Sequence, residues 1–362
     1  MLRALWLCRL LPFWALRRFD RQPRMILDGQ LPSSIAVAAQ ALQRGELLGL
    51  PTETVYGLAA DAGNDQAVAK IFEAKGRPAN HPLIVHVASA QEVIRFASAI
   101  PDFAQRLMDA FWPGPLTLIL PRRAEVAAAA AGGQNSVGVR CPSHETANAV
   151  LQAAQALGVY GVAAPSANLF GRVSPTTAAH VVGEFGEGLL IIDGGACEVG
   201  IESTIVDCTR GAPILLRPGV LTAEQLSLAC GVPVVTPTKP QVDAPRASGT
   251  LDSHYAPHAT VRLMSIAQMQ EAFKQMPSAR ERVAVWSRSL VQTPAAWALH
   301  VHSESMPVDA RQCAHDLFAQ LRHFDAQGMT QIWVEIPPAT SAWDGVRDRL
   351  TRAATPVNKL HA

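Results

Sequence analysis

Short apolar runs alternate with longer amphipathic stretches through the first two thirds of this chain. Short apolar runs bounded by Gly, Pro or polar residues are typical of buried strands, whereas apolar residues at every third or fourth position are typical of helices. The pattern predicts strands at residues 46–50, 56–60, 83–87, 116–120, 136–140, 162–164, 189–192, 203–207 and 214–217.

The amphipathic stretches predict helices at residues 35–44, 65–74, 90–97, 102–110, 145–156, 177–185 and 223–228. Ser33 or Ser34 is expected to cap the first helix, and Gly45 to end it. The Ala-rich segment 124–133 predicts a helix or a surface loop. Because strands and helices alternate irregularly, we expect an α/β domain with a mixed, twisted sheet.

Residues 231–258 are rich in proline and poor in large apolar residues, which predicts an extended, semi-rigid linker. Its length favours a functional role, such as a lid, over a simple tether. Beyond it the pattern predicts strands at 261–264, 283–286, 298–301 and 332–335, with helices at 266–276, 310–326 and 342–353. This alternation predicts a small Rossmann-like layer, and no Gly-x-Gly-x-x-Gly supports a dinucleotide there.

Length and composition agree with a folded chain of two domains. The chain has 362 residues, of which 49% are hydrophobic and 17% charged, as in packed globular domains. The formal net charge of +1 gives no bulk attraction to nucleic acid, so any contact with a polyanion needs a local patch. The six cysteines contain no Cys-x-x-Cys pair, which favours reduced, buried thiols in a cytoplasmic protein.

Residues 1–24 combine Leu, Trp and Phe with several arginines. The apolar run is too short and too interrupted to span a bilayer, and it lacks the small-x-small cleavage site of a signal peptide. We expect a non-native extension from an upstream start codon, with Met25 as the working N-terminus. The alternative is a basic amphipathic segment that lies on a membrane surface.

Polar residues with ligand-binding chemistry follow several predicted strands. Thr52, Glu53 and Thr54 come directly after the strand at 46–50, where a buried strand opens to solvent. Lys75 and Arg77 flank a glycine at the end of a predicted helix. Two cations in this setting suit a phosphate, but the tetrapeptide alone is explained as well by a solvated helix C-terminus.

A second segment favours the binding of an anionic ligand such as a phosphate. Ser166, Asn168 and Ser174 place small donors between a strand and a helix, where free backbone N–H groups can also meet an anion. Taken alone, a Ser-x-Asn pair is equally typical of an ordinary turn.

The ordered motifs PTETVYGL, KGRPxxHPLIVHV, VRCP, PSAN, ESTIVD and LRPG resemble those of the threonylcarbamoyl-AMP synthase family, which has the YrdC-like fold. The resemblance covers roughly residues 30–220 closely and residues 248–257 more loosely. The latter segment resembles the interdomain linker of the long, two-domain form. There Ser248-Gly249 stands in place of the family's usual Pro-Gly, and Ser253 in place of a basic residue.

The resemblance implies a nucleotidyltransferase that makes threonylcarbamoyl-AMP and pyrophosphate from L-threonine, bicarbonate or CO₂, and ATP. Lys75 and Arg77 would be the catalytic cations. Threonine would be held by Thr54, His86, Arg140, Ala164 and Ser203. ATP would contact Lys75, Arg77, His81, Ser136, Ser166, Asn168, Ser174, Arg217, His254 and Tyr255. Mg²⁺ would arrive with ATP, and no metal ligands on the protein are predicted.

The residues alone leave plainer roles open for three of these positions. Arg140 fits a salt bridge at a strand end as well as a substrate carboxylate. His86 fits a buried core position, and Arg217 fits a surface turn.

The family also implies a partner, a separate transferase complex that modifies adenosine 37 of ANN-decoding tRNAs to t6A, and it allows weak direct tRNA contact. Three alternatives stay open, one of which is a membrane-attached enzyme that uses residues 1–24. A non-enzymatic RNA-binding module is disfavoured by the neutral charge. Carbamoyl transfer from carbamoyl phosphate is disfavoured because zinc-finger cysteines and an acylphosphatase-like segment are missing. We divide the chain into an extension (1–24), a YrdC-like catalytic domain (25–230), a Pro-rich linker or lid (231–258) and a smaller Rossmann-like domain (259–362).

Overall fold

Two β-sheets with helices packed against them organise the chain in a computed structural model, which describes residues 26–237, 244–249, 255–275, 278 and 280–354. The N-terminal part of the chain builds the larger sheet and the C-terminal part builds the smaller one. The predicted extension at residues 1–24 lies outside the described residues. Within the described ranges, no helix has the length and apolar character needed to cross a membrane.

The larger sheet contains short strands from both halves of the catalytic domain. They are β1 Ile26–Asp28, β2 Leu48–Leu50, β3 Gly57–Asp61, β4 Ile84–His86, β5 Leu116–Pro121, β6 Ser136–Arg140, β7 Val162–Ala163, β8 Leu190–Asp193, β9 Thr204–Asp207 and β10 Ile214–Arg217. Their order is β1-β8-β2-β3-β7-β4-β6-β5-β9-β10. Parallel pairs such as β4 with β6 occur beside antiparallel pairs such as β5 with β6, so the predicted mixed sheet is confirmed.

Helices cover two parts of this sheet. They are α1 Pro32–Gln43, α2 Asp65–Lys75, α3 Asp102–Phe111, α4 Glu145–Ala156, α5 Ala178–Phe185 and α6 Ala223–Cys230, with 3₁₀ turns at Ala90–Arg95 and Gly186–Gly188. Strand side chains alternate between faces. In β3, Leu58 and Ala60 therefore join the core under α2, α3, α5 and α6, whereas Ala59 joins the core under α1 and α4.

A third group of strand side chains is covered by the linker. Ile84, Ile119 and Ile205 point to one side of β4, β5 and β9, and Ala247 of the linker packs against them. Ile84 of this patch also lines a cavity at the strand ends. Small ligands usually bind in concave sites of this kind.

The smaller sheet is entirely parallel. Its strands are β11 Thr260–Met264, β12 Val283–Ser287, β13 Val301–Ser305 and β14 Gln331–Glu335, in the order β11-β14-β12-β13. The helices are α7 Ile266–Ala272, α8 Ala310–Ala326 and α9 Asp344–Ala354, with 3₁₀ turns at Ala295–Trp297 and Ser341–Trp343. The predicted smaller α/β layer is confirmed.

Several predicted local details were wrong. Helix α1 begins at Pro32 with Leu31 as its N-cap, because proline fits the first helical position, so Ser33 and Ser34 lie inside the helix and do not cap it. The stretch predicted as a helix at 90–97 is a 3₁₀ turn. For segment 124–133 the loop alternative is confirmed: the segment is a series of turns, in which Ala127 and Ala130 are buried.

Two strands were missed or misplaced. Strand β1 has only three residues and exists through parallel pairing with the distant β8. The strand predicted at 298–301 is wrong: residues 295–297 form a 3₁₀ turn and the strand is β13. β13 is an edge strand of largely polar residues, so it carries little of the apolar signal that marks a strand.

The two parts of the chain meet through close backbone contact. Gly345 of α9 faces the carbonyl of Gly219, and Gly200 faces the backbone of α8 near His315. Since no side chain intervenes at either point, the C-terminal domain lies directly against the loops that follow β8 and β10.

This contact predicts that Gly345→Ala destabilises the protein. An ideal Cβ at Gly345 would lie 2.6 Å from the carbonyl oxygen of Gly219 and 2.9 Å from Cδ1 of Ile201. Overpacking of this kind costs about 1–3 kcal/mol, which calorimetry would detect as a lower melting temperature. Gly183→Ala is the matched control, because Gly183 is also helical and nothing lies within 4 Å of its ideal Cβ. The control should be neutral or stabilise by up to about 1 kcal/mol. Equal melting temperatures for the two variants would contradict the close contact.

Candidate functional site

Side chains from the ends of several strands meet in one cavity beside the linker. Thr54 follows β2, Arg217 ends β10, and His86 and Arg140 end the paired strands β4 and β6. Because β4 and β6 are parallel with His86 opposite Arg140, their last side chains reach the same edge. The predicted site residues that line the cavity are Thr54, Arg77, His86, Arg140, Ala164, Ser166, Ser203, Arg217 and Tyr255.

Arg140 is held by a buried acid. Its Nη2 lies 2.6 Å from Oε1 of Glu53, and each side chain is only 4% exposed. Arg140 Nη1 donates to Oγ1 of Thr54 at 2.7 Å, and Nε donates to the carbonyl of Gly114 at 3.2 Å. The Glu53–Arg140 contact is an ion pair without an aligned hydrogen bond, so these polar atoms keep bonding capacity next to the cavity.

His86 is a neutral hydrogen-bonding group at physiological pH. Burial, with the positive charge of Arg140 as a second cause, lowers its pKa to about 3. Its Nδ1 lies 3.3 Å from the carbonyl oxygen of Ile84 in the same strand, which leaves Nε2 for other contacts. An uncharged imidazole can contact a substrate here without adding a second cation beside Arg140.

Arg77 remains a cation although it is buried. Burial lowers its pKa to about 10, well above neutrality. Nη2 donates to the carbonyl of Pro82 at 3.0 Å and approaches Oγ of Ser248 at 3.4 Å. Nε has no hydrogen-bond partner among the residues the structure describes. A buried donor left over on the wall of a cavity is suited to an anionic ligand.

Arg217 joins the catalytic domain to the linker. Its Nε and Nη2 donate to the backbone carbonyl and Oγ of Ser203, at 3.0 and 3.2 Å. Its Nη1 donates to the carbonyl of Ser248 at 2.9 Å. Ser248 Oγ in turn donates to the carbonyl of Pro82 at 2.6 Å. The linker therefore closes one side of the cavity, with Tyr255 fully buried beside it.

Lys75 takes a different position from the one expected. Its Nζ donates to the carbonyl of Ser166 at 2.6 Å and to the carbonyl of Asn168, and the residue does not line the cavity. Gly76, in the left-handed conformation, ends α2 and separates Lys75 from Arg77, so the two cations diverge. Burial lowers the pKa of Lys75 well below its ordinary value. Lys75 thus supports the turn that carries Ser166.

The remaining predicted residues surround the cavity without lining it. Asn168 Nδ2 donates to the carbonyls of Leu169 and Arg172, at 2.7 and 3.0 Å, as in a structural turn. Ser174 Oγ donates to Oε1 of Glu202 at 2.5 Å. His81 packs edge-on against Phe170, and Ser136 lies in the adjoining pocket with Ala247. His254 lies outside the described residues.

Two acids near the cavity, Glu53 and Glu202, were not among the predicted site residues. Glu53 and Glu202 belong to the motifs PTETVYGL and ESTIVD, and each is next to a predicted ligand-binding residue. Their place in these motifs is the sequence signal that could have identified them as residues of the site. What the motif could not reveal is that each acid balances a buried arginine, Arg140 and Arg349 respectively.

One group of possible metal ligands was found among the described residues. His302, Glu304 and His323 bring one donor atom each to within 4.8 Å of the others, on β13 and α8. Both imidazoles already contact Glu304 Oε1, at 2.8 and 3.3 Å, and the group does not line the cavity.

Two family profiles match nearly the whole described chain. Residues 40–219 match the profile described as "Telomere recombination", and residues 221–355 match "Threonylcarbamoyl-AMP synthase, C-terminal domain". Curated proteins named threonylcarbamoyl-AMP synthase are similar throughout. The Pyrococcus abyssi protein is 37% identical over 88% of this chain and 94% of its own length. The Bacillus subtilis protein is 37% identical over 88% and 92%.

A solved structure has the same architecture. The crystal structure of P. abyssi Sua5 complexed with L-threonine superposes with a TM-score of 0.80 at 35% identity, covering 90% of this chain and 95% of that chain. At 90% coverage of this chain, the similarity extends over parts of both domains. The chain belongs to the threonylcarbamoyl-AMP synthase family, in the form that carries a second, C-terminal domain.

Proposed function

We propose that the cavity binds L-threonine, bicarbonate or CO₂, and ATP, and joins them into threonylcarbamoyl-AMP with release of pyrophosphate. The observation that carries this proposal is the meeting of Thr54, His86, Arg140, Arg77 and Arg217 in one buried cavity. The first three offer a hydroxyl, a neutral imidazole and a cation for an amino acid. The last two offer cations for phosphates.

Threonine would lie at the Arg140 end. The guanidinium attracts the substrate carboxylate, while Thr54 and Ser203 offer hydroxyls at the same wall. The carbonyl of Ala164, which also lines the cavity, can accept from the ammonium or the hydroxyl group. Glu53 orients Arg140 for this contact through their ion pair.

The reaction then needs alignment more than a nucleophilic side chain. The neutral threonine amine adds to CO₂ and loses a proton, or it displaces water from bicarbonate, so that a carbamate forms. An oxygen of this carbamate then attacks the α-phosphorus of ATP. Pyrophosphate leaves with the electron pair of the broken P–O bond. Arg77 and Arg217 would stabilise the negative charge that builds on this leaving group, and burial strengthens that effect.

Mg²⁺ would enter with ATP. Phosphate oxygens and water supply most ligands of a nucleotide-bound Mg²⁺, so few protein ligands are needed. Glu202 is the acid that lines the cavity, and its carboxylate is already bonded to Ser174 and Arg349. We assign no residue to the metal.

The product is a labile acyl-adenylate, which favours a closed site and a nearby acceptor. We propose that a separate transferase complex takes the threonylcarbamoyl group for adenosine 37 of tRNA, in the cytoplasm. A net charge of +1 supports transfer through that partner over strong direct tRNA binding by this chain.

Threonine should be preferred over valine, because hydroxyl groups in the site would be left unpaired with valine. We expect kcat/KM in pyrophosphate release to fall by at least about 100-fold with valine. The measurement couples pyrophosphate detection to mass spectrometry of the adenylate. The control omits bicarbonate, which should abolish both signals. Equal rates with valine, or full rates without bicarbonate, would sink the proposal.

Arg77→Met should impair ATP use without unfolding the protein. Loss of a charge-assisted contact should raise the KM for ATP about 10- to 100-fold. Stability should stay near wild type, because the carbonyl of Pro82 keeps its hydrogen bond from Ser248. Arg44→Met, which removes a surface ion pair with Glu46, is the control and should change neither quantity. A melting temperature that falls in step with activity would assign Arg77 a structural role instead.

Glu53→Gln should make the protein depend on threonine for stability. The substitution leaves the charge of Arg140 buried without its acid, at a cost of roughly 3 kcal/mol. The carboxylate of bound threonine would supply the missing charge. Threonine should therefore raise the melting temperature more in the variant than in wild type. Glu46→Gln, in a surface ion pair, is the control. A smaller threonine effect in Glu53→Gln than in wild type would argue against carboxylate binding at Arg140.

A further inference from the structure

One side chain of the C-terminal domain is buried inside the catalytic domain. Arg349 of α9 has no exposed surface. Its Nε donates to Oε2 of Glu202 at 2.8 Å and its Nη2 to the backbone carbonyl of Glu202 at 3.1 Å. Its Nη1 donates to the carbonyl of Pro218 at 2.7 Å and to Oδ2 of Asp348 at 2.8 Å. The planar guanidinium thus holds two separate loops of the other domain in one geometry.

Both loops carry cavity residues. Glu202 itself lines the cavity, and its second carboxylate oxygen accepts from Ser174. Ser203 directly follows Glu202, and Arg217 directly precedes Pro218. Ser203 and Arg217 also bond each other. Arg349 therefore acts on the immediate neighbours of two proposed ligand contacts.

The same guanidinium also supports the linker. Its central carbon lies 5.5 Å from the ring centroid of Tyr255, within the range of a cation–π contact. Tyr255 is 1% exposed and lines the cavity. One side chain thus contacts the catalytic loops and the linker at a single point.

The charge of Arg349 matters because of what the cavity would hold. Burial by itself would raise the pKa of Glu202, but Arg349, and after it Arg217, outweigh burial and lower that pKa below its ordinary value. Glu202 therefore stays ionised on the wall of a site for a polyanion. Arg349 forms an ion pair with Glu202 and offsets this negative charge. The positive charge of Arg217, which bonds Ser203, is therefore needed less to balance Glu202 and stays available for the phosphates.

The contact between the two domains does not need the hydrogen bonds of Arg349. The two domains already share the apolar cluster that joins Val55, Val173 and Ile201 to helices α8 and α9. A buried ion pair adds little to such a contact, since desolvation offsets most of the attraction. Three of the four directed bonds of Arg349 go to Glu202 and Pro218 and determine where these residues lie.

We propose that Arg349 is a positioning residue of the synthase site, by which the C-terminal domain holds Glu202 and Arg217 in place for ATP. This inference rests on the proposed function. It assigns the second domain a direct part in forming the ATP side of the cavity.

The test is steady-state pyrophosphate release by full-length Arg349→Met, with ATP and threonine varied separately. The proposal expects the KM for ATP to rise about 10- to 100-fold. The KM for threonine should change by less than about threefold, because Ser203 keeps its hydrogen bond with Oγ1 of Thr117 and the other proposed threonine contacts are not bonded to Arg349. Arg352→Met is the matched control, because Arg352 lies on the same helix and pairs with the same Asp348. The control should retain wild-type kinetics.

A double-mutant cycle separates positioning from simple docking. In Glu202→Gln there is no carboxylate for Arg349 to neutralise, so adding Arg349→Met should raise the KM for ATP by less than it does in wild type. Strict additivity, equal rises in both KM values, or wild-type kinetics in Arg349→Met would overturn the proposal.

A second variant and a check of the wild-type reaction separate misfolding and a wrong function from a loss of positioning. If Arg349→Met does not fold by calorimetry, Arg349→Lys replaces it, since lysine keeps the charge but loses the planar fork. A rise in the KM for ATP alone is still expected, and wild-type kinetics would overturn the proposal. The wild-type reaction is checked first. No product from wild type with threonine, bicarbonate and ATP would refute the proposed function, whereas an active wild type with an unaffected Arg349 variant would refute this inference alone.

Discussion

Buried positive charge is the constraint on which this structure depends. Arg77, Arg140, Arg217 and Arg349 are each at most 9% exposed, and all four contact the cavity or its walls. Removing a guanidinium from water costs several kcal/mol unless hydrogen bonds and opposite charge replace the lost hydration. The chain supplies carbonyls from several loops and two acids, Glu53 and Glu202. The loops must therefore stay where these contacts need them, which makes the cavity rigid before any ligand binds.

The sheet topology explains how such distant groups come together. Several neighbouring strands in the large sheet, such as β8 and β2 or β5 and β9, are far apart in sequence, so their ends bring together loops from distant parts of the catalytic domain. Helices cover the rest of the sheet, while the patch around Ile84, Ile119 and Ile205 is left to the linker. The same gap that exposes the strand ends also makes the linker part of the site. A Pro-rich segment suits this role because it can lie extended across the surface without a core of its own.

The two domains are coupled through the site as well as through apolar packing. Close backbone contact at Gly345 and Gly219 brings α9 to the loop after β10. Arg349 of α9 donates to the carboxylate of Glu202. Arg217, at the end of β10, donates to the carbonyl of Ser248 in the linker. A movement of the C-terminal domain would have to break these directed bonds. The conformation of the second domain and the shape of the cavity are therefore linked physically.

The sequence by itself determined the class of the fold, the family and most of the cavity. Local periodicity placed β6, β10, α4 and α8 with the bounds that the structure has, because strands and helices leave a short-range apolar signal. The ordered motifs identified the family and many of the residues that line the cavity. Only the tertiary structure decided which charges face the cavity. Lys75 and Arg77 are two positions apart, yet Lys75 bonds the carbonyl of Ser166 while Arg77 lines the cavity. Arg349 lies 147 positions from Glu202, and no local pattern connects them. Burial and ion pairing are long-range properties, and they become visible only when the chain has brought distant loops together.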